Sequence, residues 1–480
     1  MNTAAAAAKP AMSKSEIRVI MLGLMVAMFP GALDSTIIGP AMPTIGRDLG
    51  DVGNLPWIAT AYLLVATAVT PLYGKLSDIH GRRVMLLIAI GIFAVGSLLC
   101  ALAPTMITLA VARALQAIGG GGLVSLAMTV IGDIVPPRER PRYQVYTSIM
   151  WTTASLLGPI LGGYFAEIWH WTLIFWINLP ICLAAWLMTD SKLKRLPRHE
   201  RPHKLDIAGA ILLVLASGFA QLTLSWGGNF YAWSSPLILG LAGASIIFAG
   251  LFVWRLAHAD EPLIPYRLLS NRIVLTGASS VGLTMGVFVG LTVYTPIFFE
   301  SLRGLPASRS GLALLPLMVF STVGAMTAGR VMSHMRRYKF VALIGLAMGA
   351  LALLPLYLQP DFLPFVWIEV LLALVSIGVG TVFPTTTVSV QNSVARHDLG
   401  TATALITFMR NLGAAVGVAV FGTALKGLDL ASGASRATTA LADAFGKIFL
   451  LGACGLAVAA IILWRMEERS LSTGKSGGLT

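Results

Sequence analysis

Length and composition already narrow the class of protein. The chain has 480 residues with a mean hydropathy of +0.80, and charged residues make up only 11% of it, against about 25% in a soluble globular protein. So few charges would leave the surface of a water-soluble protein uncovered, which excludes a soluble enzyme, a disordered chain and a nucleic-acid-binding protein. The three cysteines lie in apolar runs and indicate no disulfide framework. The sequence therefore predicts an all-α polytopic membrane protein.

Apolar runs of about 20 residues, the length that crosses the hydrocarbon core, recur along the chain. Two joins between runs are tight, but Pro104 in one and aromatic residues in the other favour hairpins, so both helices are kept in each case. The predicted spans are fourteen, at 17–39, 57–74, 84–103, 105–131, 144–166, 171–189, 207–226, 236–257, 273–299, 310–332, 340–358, 364–390, 400–425 and 445–464.

The net charge of +13 reports topology. With the N-terminus inside, almost all of the positive excess falls in the segments on the cytoplasmic side, as membrane insertion favours. It is therefore not the footprint of a nucleic-acid partner. An even number of spans puts both termini in the cytoplasm, with the first apolar run retained as a span.

The loops and a weak internal repeat divide the spans. The basic turn GKLSDIHGRR at 74–83 follows the second span, and GRVMSHMRR at 329–337 follows the tenth. Each turn occupies the same place in a six-span half, and the uncharged spans at 207–257 read as a lipid-facing pair inserted between the halves. The predicted parts are a cytoplasmic leader at 1–16, a six-helix bundle at 17–189, a cytoplasmic loop at 190–206, two inserted helices at 207–257, a cytoplasmic loop at 258–272, a second six-helix bundle at 273–464 and a cytoplasmic tail at 465–480.

Four segments carry a family resemblance. GKLSDIHGRR resembles the cytoplasmic loop signature of the major facilitator superfamily, and LGPILGG at 157–163 resembles its antiporter motif. RALQAIGGGG at 113–122 and LDSTIIGPAMP at 33–43 lie on the fourth and first spans, where the fourteen-span drug:proton antiporter family has similar segments. The resemblance implies a major facilitator fold of two six-helix bundles plus two inserted helices.

The same resemblance implies proton-driven efflux of lipophilic drugs or toxic compounds across the cell inner membrane, by alternating access between the bundles. The expected partners are protons, lipophilic small molecules and membrane lipids; no cofactor is expected, and a periplasmic adaptor is left open. A transporter of one specific metabolite is the alternative. An enzyme acting on lipid would need an acid–base or metal constellation, and a sensor would need a soluble signalling extension; neither is evident in the sequence.

Asp34 is the strongest candidate site residue. A carboxylate near the middle of an apolar helix is costly to ionise, so it can exchange protons with whichever side it faces. It could also attract a cationic substrate, or simply belong to a hydrogen-bond network with Ser35 or Thr36. Arg113 keeps its charge and needs an acid or carbonyl partner; it either tunes Asp34 or fixes helix packing, and the resemblance favours proton coupling.

Two further charged residues lie within predicted spans. Glu369 is expected to be either a second proton site or an acid at the membrane interface. Arg410 has no carboxylate nearby in sequence, and Gly413 and Gly417 beside it indicate tight packing, so its expected role is structural.

The loop at 74–83 is expected to act as a gate latch, with a solvated loop as the alternative. Asp78 can cap a neighbouring helix or pair with Arg138, Arg140 or Arg142, and Gly81 allows a sharp reversal. The expected gating residues are Gly74, Asp78, Gly81 and Arg82 in the loop, and Gly158, Pro159, Gly162 and Gly163 on the fifth span. The glycines would let two helices approach closely and move.

Aromatic residues inside the spans are candidates for the substrate cavity, together with Asp34. They are Trp151, Tyr294 and Phe298. No phosphate-binding loop is visible in the sequence, and no cluster has metal-ligand spacing. The energy source must therefore be an ion gradient, and protons suit Asp34 best.

Overall fold

The structure is a computed structural model that describes residues 14–50, 54–55, 57–195, 206–228, 230–305, 310, 312–335, 337–360, 362–425 and 435–471. Within these ranges the regular structure is helical, apart from one isolated β-bridge between Gly227 and Tyr231. The helices are α1 Lys14–Leu49, α2 Trp57–His80, α3 Arg82–Ala101, α4 Met106–Ile134, α5 Arg140–Ile168, α6 Leu173–Trp176, α7 Asn178–Lys192, α8 Ile207–Trp226, α9 Pro236–His258, α10 Tyr266–Leu269, α11 Arg272–Ser301, α12 Leu315–His334, α13 Lys339–Leu358, α14 Phe365–Ser393, α15 Leu399–Ala424 and α16 Ser435–Trp464.

In the described part of the chain, 13 helices are long and apolar enough to cross a membrane. They include every predicted span except the fifth. That span is α5, a helix of 29 residues that begins with Arg140 and Arg142 and has a more polar composition than its neighbours. The all-helical membrane architecture is confirmed, and the protein is a multi-pass membrane protein.

The sixth predicted span is a broken helix. α6 ends at Trp176, and α7 begins at Asn178, with Ile177 between them. Pro180 has no N–H to donate to the carbonyl of Trp176, which interrupts the helical hydrogen-bond ladder at this point. The break places the Asn178 side chain in the interior, where it is buried.

Two clusters of buried apolar side chains organise the bundle. The first runs from Ile17 on α1 to Leu193 after α7, and the second from Ala210 on α8 to Met466 after α16. α8 packs against α2 and α15, whereas α9 packs mainly on α8. Only 11% of the apolar window of α9 is buried, against 72% for α4, so α9 presents most of its surface outward.

One end of the bundle collects basic turns and is called the basic end. There the α2–α3 turn meets the start of α15, through a hydrogen bond from the Gly400 amide to Asp78. The α4–α5 turn meets the end of α12, through Arg138 and the Ser333 carbonyl.

Residues after α16 return across the basic end. Glu468 Oε1 accepts hydrogen bonds from the backbone amides of Tyr338 and Lys339, which caps α13. Burial raises the pKa of Tyr338, so its hydroxyl stays protonated and donates to the Arg469 carbonyl at 3.0 Å. Leu471 packs in a small cluster beside the Tyr338 ring. The segment is therefore fixed to the second bundle.

Candidate functional site

A buried ion pair joins α1 to α4. Asp34 is completely buried, and both of its carboxylate oxygens accept from Arg113 Nη1, at 2.9 and 2.7 Å. Arg113 Nε donates to the carbonyl of Ile58 at 3.3 Å, and the guanidinium lies 4.2 Å from the centre of the Tyr62 ring. The buried cation predicted on α4 thus has a full set of partners, and its acid is Asp34.

Gln116 extends the pair into a network. Its Oε1 accepts from Arg113, and its Nε2 donates to Asp34 at 3.0 Å and to the Ser97 hydroxyl at 2.8 Å. Asn178 also donates to Ser97, at 3.4 Å, and its own Oδ1 has no hydrogen-bond partner among the described residues. Sequence reasoning missed Ser97 as a site residue. The available signal was a small polar residue in an otherwise apolar run.

A glycine crossing holds the Asp34 segment against α5. A Cβ added at Gly158 would lie 2.0 Å from Thr36 Oγ1, and one at Gly162 would lie 2.0 Å from the Ile37 carbonyl. Side chains at either position would force the helices apart. The Thr36 hydroxyl also donates to the carbonyl of Ala154 at 3.0 Å, so the crossing reaches within two residues of Asp34.

Two other residues of the same motif lie outside this close approach. A Cβ at Gly163 would make only an ordinary contact of 3.9 Å with Pro40. Pro159 is exposed on the outer face of α5. The tight packing predicted for the motif is therefore carried by Gly158 and Gly162, which face α1.

At the basic end, Asp78 caps α15. Its carboxylate accepts from the backbone amides of Gly400 and Thr401, at 3.1 and 3.0 Å, and from the Thr401 hydroxyl at 2.9 Å. Arg82 pairs with Asp78 at 2.5 Å and with Asp133 on α4 at 2.8 Å. A negative charge at a helix N-terminus is stabilised by the unpaired amides there. The loop therefore ties the first bundle to the second.

The glycines of this loop have separate roles. Gly81 has φ +90°, a conformation that side chains disfavour, and it permits the sharp turn between α2 and α3. Gly74 lies against α15, where an added Cβ would be 2.5 Å from the Ala404 side chain.

Of the two alternatives for Asp78, the structure shows the helix cap, and none of the three candidate arginines pairs with it. Arg138 donates to the Ser333 carbonyl, and Arg140 donates to the carbonyls of Val135 and Gly132 at the end of α4. Among the described residues Arg142 makes no ion pair with Asp78 either. The cap comes instead from backbone amides and from Arg82 in the same loop, because Gly400 and Gly74 bring the two helices into contact.

The internal repeat has a structural counterpart. Gly329 on α12 packs against α5, where an added Cβ would lie 2.7 Å from the Pro141 carbonyl. Gly74 on α2 and Gly329 on α12 thus occupy corresponding crossings between the two clusters, although only the first has an acid beside it.

Glu369 and the candidate cavity residues lie apart from the Asp34 network. Glu369 is half-buried on α14, and its Oε1 has no hydrogen-bond partner among the described residues. Trp151 is half-buried on α5 and packs against the first cluster.

Phe298 does not line a cavity in this conformation. It is fully buried, with the rings of Phe445 and Phe449 packed edge-on to it, and its assignment as a substrate residue stays a prediction. Tyr294 is also mostly buried, and its hydroxyl donates to the Val418 carbonyl at 3.1 Å, which fixes it at the crossing of α11 and α15. An aromatic residue in a span is as well suited to core packing as to a cavity.

Arg410 lies on α15 with its guanidinium 4.7 Å from the centre of the Phe383 ring. The neighbouring glycines make a second tight crossing: Cβ atoms added at Gly413 and Gly417 would each lie 2.0 Å from a carbonyl oxygen of α11, at Gly282 and Gly286 respectively. The packing predicted from these glycines is confirmed.

The buried ion pair and the glycine-lined crossings lie inside a polytopic helical bundle. The protein is therefore a helical membrane protein with a charged site in its interior. The model of the Major Facilitator Superfamily matches residues 24–418, and the chain belongs to that family.

Relatives and a solved structure agree with this assignment. The multidrug transporter protein MdtP of Bacillus subtilis is 32% identical over 416 residues, which cover 86% of this chain and 76% of MdtP. An uncharacterized MFS-type transporter of Mycobacterium tuberculosis is 32% identical over 88% of this chain, and the chain spans only 61% of that relative's length. The proton:xylose symporter XylE has the same fold, with a TM-score of 0.64 at 15% identity over 96% of this chain and 98% of XylE.

Proposed function

We propose that this protein exports lipophilic drugs or other toxic compounds across the inner membrane in exchange for protons. The observation that carries the proposal is the buried Asp34–Arg113–Gln116 network. It contains a buried carboxylate whose protonation would remove the charge that balances Arg113. The similarity to MdtP, whose name describes a multidrug transporter, supports the substrate class.

Asp34 is the proposed coupling site. When it is ionised, the pair with Arg113 holds α1 against α4. When a proton neutralises it, the permanently charged Arg113 loses its main partner, and the pair no longer favours that arrangement. Protonation therefore biases the equilibrium between two conformations, as antiport requires. Glu369, with a buried oxygen that lacks a hydrogen-bond donor, is the proposed second proton site.

The proposed transport cycle moves two six-helix bundles, at 17–189 and 273–464, around the site. Together with the 13 helices that are long and apolar enough to cross a membrane, α5 brings the proposed number of spans to fourteen. α8 and α9 are the inserted pair. The positive-inside rule places the basic end, and with it both termini, in the cytoplasm. The structure then corresponds to a state closed toward the cytoplasm.

Opening toward the cytoplasm has to break the contacts of the gate loop. Asp78 must leave the N-terminus of α15, with Arg82, Gly74 and Gly81 carrying the movement of the turn. On α5 the proposed moving contact is formed by Gly158 and Gly162, with Pro159 and Gly163 beside them. Trp151 remains the proposed aromatic contact for substrate on the first bundle.

The test uses energised inside-out vesicles with a fluorescent reporter of the pH gradient. Two probes share one ring system and differ in charge: 2-naphthalenesulfonate and trimethyl-2-naphthylammonium. The expected result is a loss of gradient when a transported probe is added, absent in Asp34→Asn. Asp443→Asn is the matched control, because Asp443 is an exposed carboxylate on α16.

Three outcomes would contradict the proposal in different ways. Probe-driven proton movement that survives Asp34→Asn would move the coupling site to Glu369. Probe uptake without proton movement would exclude antiport. A wild-type protein that responds to neither probe would favour a transporter of one specific metabolite.

A further inference from the structure

Among the residues that the structure describes, none compensates the charge of Arg410. It is half-buried on a membrane-spanning helix, and within the described part of the chain it makes neither a hydrogen bond nor an ion pair. Its one polar contact is the face of the Phe383 ring. A guanidinium remains charged in any protein environment and offers five N–H donors. A charge of this kind inside a membrane protein is costly unless something else supplies the missing acceptor.

The described carboxylates of the same bundle's spans are too far away to supply it. Glu369 lies on α14 fourteen residues before Phe383, about 21 Å along the helix axis at 1.5 Å per residue. Glu300 lies near the end of α11, twelve residues or about 18 Å beyond Phe288. Asp34 is held by Arg113 in the first bundle.

The residues around the guanidinium are not completely enclosed by protein. Every residue of α14 from 378 to 391 is buried except Phe383, which is half-buried. Phe288 on α11 is also half-buried, and its ring meets that of Phe383 edge-on, with centroids 6.5 Å apart. Two aromatic rings and a cation therefore lie side by side, and each of the three side chains keeps some accessible surface.

From this arrangement we propose that Arg410, Phe383 and Phe288 form a binding site for an aromatic organic anion, such as a carboxylate or sulfonate. The guanidinium would donate two parallel hydrogen bonds to the anionic group, and the two rings would hold the aromatic body of the ligand. An anion neutralises the uncompensated charge, whereas a cation is repelled by it. The site rests on the proposed efflux function and narrows its substrate class to anionic amphiphiles.

The experiment compares uptake of the two naphthalene probes into energised inside-out vesicles. Wild-type protein should take up 2-naphthalenesulfonate in preference to trimethyl-2-naphthylammonium. Arg410→Met should reduce sulfonate uptake at least about tenfold, the loss expected for one charge-assisted contact, and leave ammonium uptake equal or higher. Arg410→Lys keeps the charge but not the paired donors, and should raise the KM for the sulfonate several-fold without changing its kcat.

Gly413→Ala is the matched control for packing, because it disturbs the same helix without touching the guanidinium. It should lower uptake of both probes alike. If Arg410→Met behaves like Gly413→Ala, or keeps sulfonate uptake, the proposed site is wrong. If wild-type protein carries only the ammonium probe, efflux stands and the anion site falls. If it carries neither probe, the proposed function itself fails. Should Arg410→Met be absent from the membrane, the KM of Arg410→Lys decides.

Discussion

The two arginines in the interiors of the bundles show how differently one side chain can be used. Arg113 on α4 is buried to 2% exposure and bound by Asp34, Gln116 and the Ile58 carbonyl. Arg410 on α15 is half-buried, and among the described residues its one contact of this kind is the Phe383 ring. The charge of Arg113 is buried beside an acid, and protonation of that acid would leave the charge uncompensated. The charge of Arg410 is left for a ligand to balance.

Packing does not account for this difference, since both arginines stand near equivalent crossings. Gly162 on α5 approaches the Ile37 carbonyl of α1 as closely as Gly417 on α15 approaches the Gly286 carbonyl of α11. The α1–α5 and α11–α15 crossings therefore share one geometry of close backbone approach. They differ in the acid that α1 carries and α11 lacks at the level of the cation.

The largest expected effect is the loss of stability on removing Arg113, measured against the same substitution at Arg410. Arg113→Met leaves Asp34 as an unpaired buried acid and should lower the free energy of unfolding by about 3 to 5 kcal/mol. Arg410→Met deletes an uncompensated charge and only a cation–π contact, and should change it by less than about 1 kcal/mol. Unfolding of the purified proteins in mixed micelles measures both.

The control is the double variant Asp34→Asn with Arg113→Met. It leaves neither charge in the interior and should recover much of the lost stability. Equal losses of unfolding free energy in Arg113→Met and Arg410→Met would mean that Arg410 has a structural partner, and the two arginines would then not differ in the way proposed.

Alanine substitutions at the two glycine crossings should lower stability by similar amounts, whereas the two arginine substitutions should not. Gly162→Ala and Gly417→Ala each introduce a Cβ 2.0 Å from a carbonyl oxygen, and each should lower the free energy of unfolding by about 1 to 3 kcal/mol. Gly240→Ala on α9, where an added Cβ meets nothing within 4 Å, is the matched control. A marked effect at only one crossing would show that the halves are not equivalent in packing.

Sequence patterns predicted the helices well, but not their ends. The first span was expected at 17–39, and α1 continues to Leu49, because a helix can extend beyond the hydrocarbon core where apolar content no longer marks it. The segment of the fifth predicted span is helical, as α5, but its composition is more polar than that of the 13 helices long and apolar enough to cross a membrane. Helices packed inside the bundle do not need an apolar surface all round.

At the site, residue chemistry predicted charges better than partners. Asp34 was expected as the acid and Arg113 as a cation in need of one, and the structure joins them. A helix cap was one of two alternatives for Asp78, but backbone amides carry no sequence signal, so the sequence could not show that α15 supplies them. The position of Phe298 on a span could not show that its ring packs against Phe445 and Phe449 of α16.

Two contacts at the basic end, the Asp78 cap on α15 and the Arg138–Ser333 hydrogen bond, should differ in strength. Asp78→Ala removes a helix cap, worth about 1 kcal/mol, and should increase the population open at this end roughly fivefold. Arg138→Ala removes one exposed contact, 3.4 Å long, and should change it less than about twofold. Met128→Cys, a buried position beside Gln391, reports opening through its rate of reaction with a water-soluble maleimide.

That assay needs a background in which the exposed Cys454 is replaced by serine, since Cys100 and Cys182 are buried. Equal labelling rates in Asp78→Ala and in the unaltered background would show that the cap does not hold the closed state. The gating role of the loop would then be lost, and the solvated-loop interpretation would replace it.

The smallest expected effect is the coupling energy of an exposed ion pair, which shows by comparison what burial adds to the pair of Asp34 and Arg113. Asp443 and Lys447 form an ion pair at 2.6 Å on the surface of α16, with both side chains more than half exposed. A double-mutant cycle with Asp443→Asn and Lys447→Met should give a coupling of no more than about 0.5 kcal/mol, and 1 M salt should abolish it by screening. The same cycle on Asp34 and Arg113 should give a larger coupling that salt leaves intact, because water and ions do not reach the pair. If salt weakened both couplings equally, solvent would have to enter the Asp34 network, and the network would then no longer hold the charge-dependent conformational preference on which proton coupling depends.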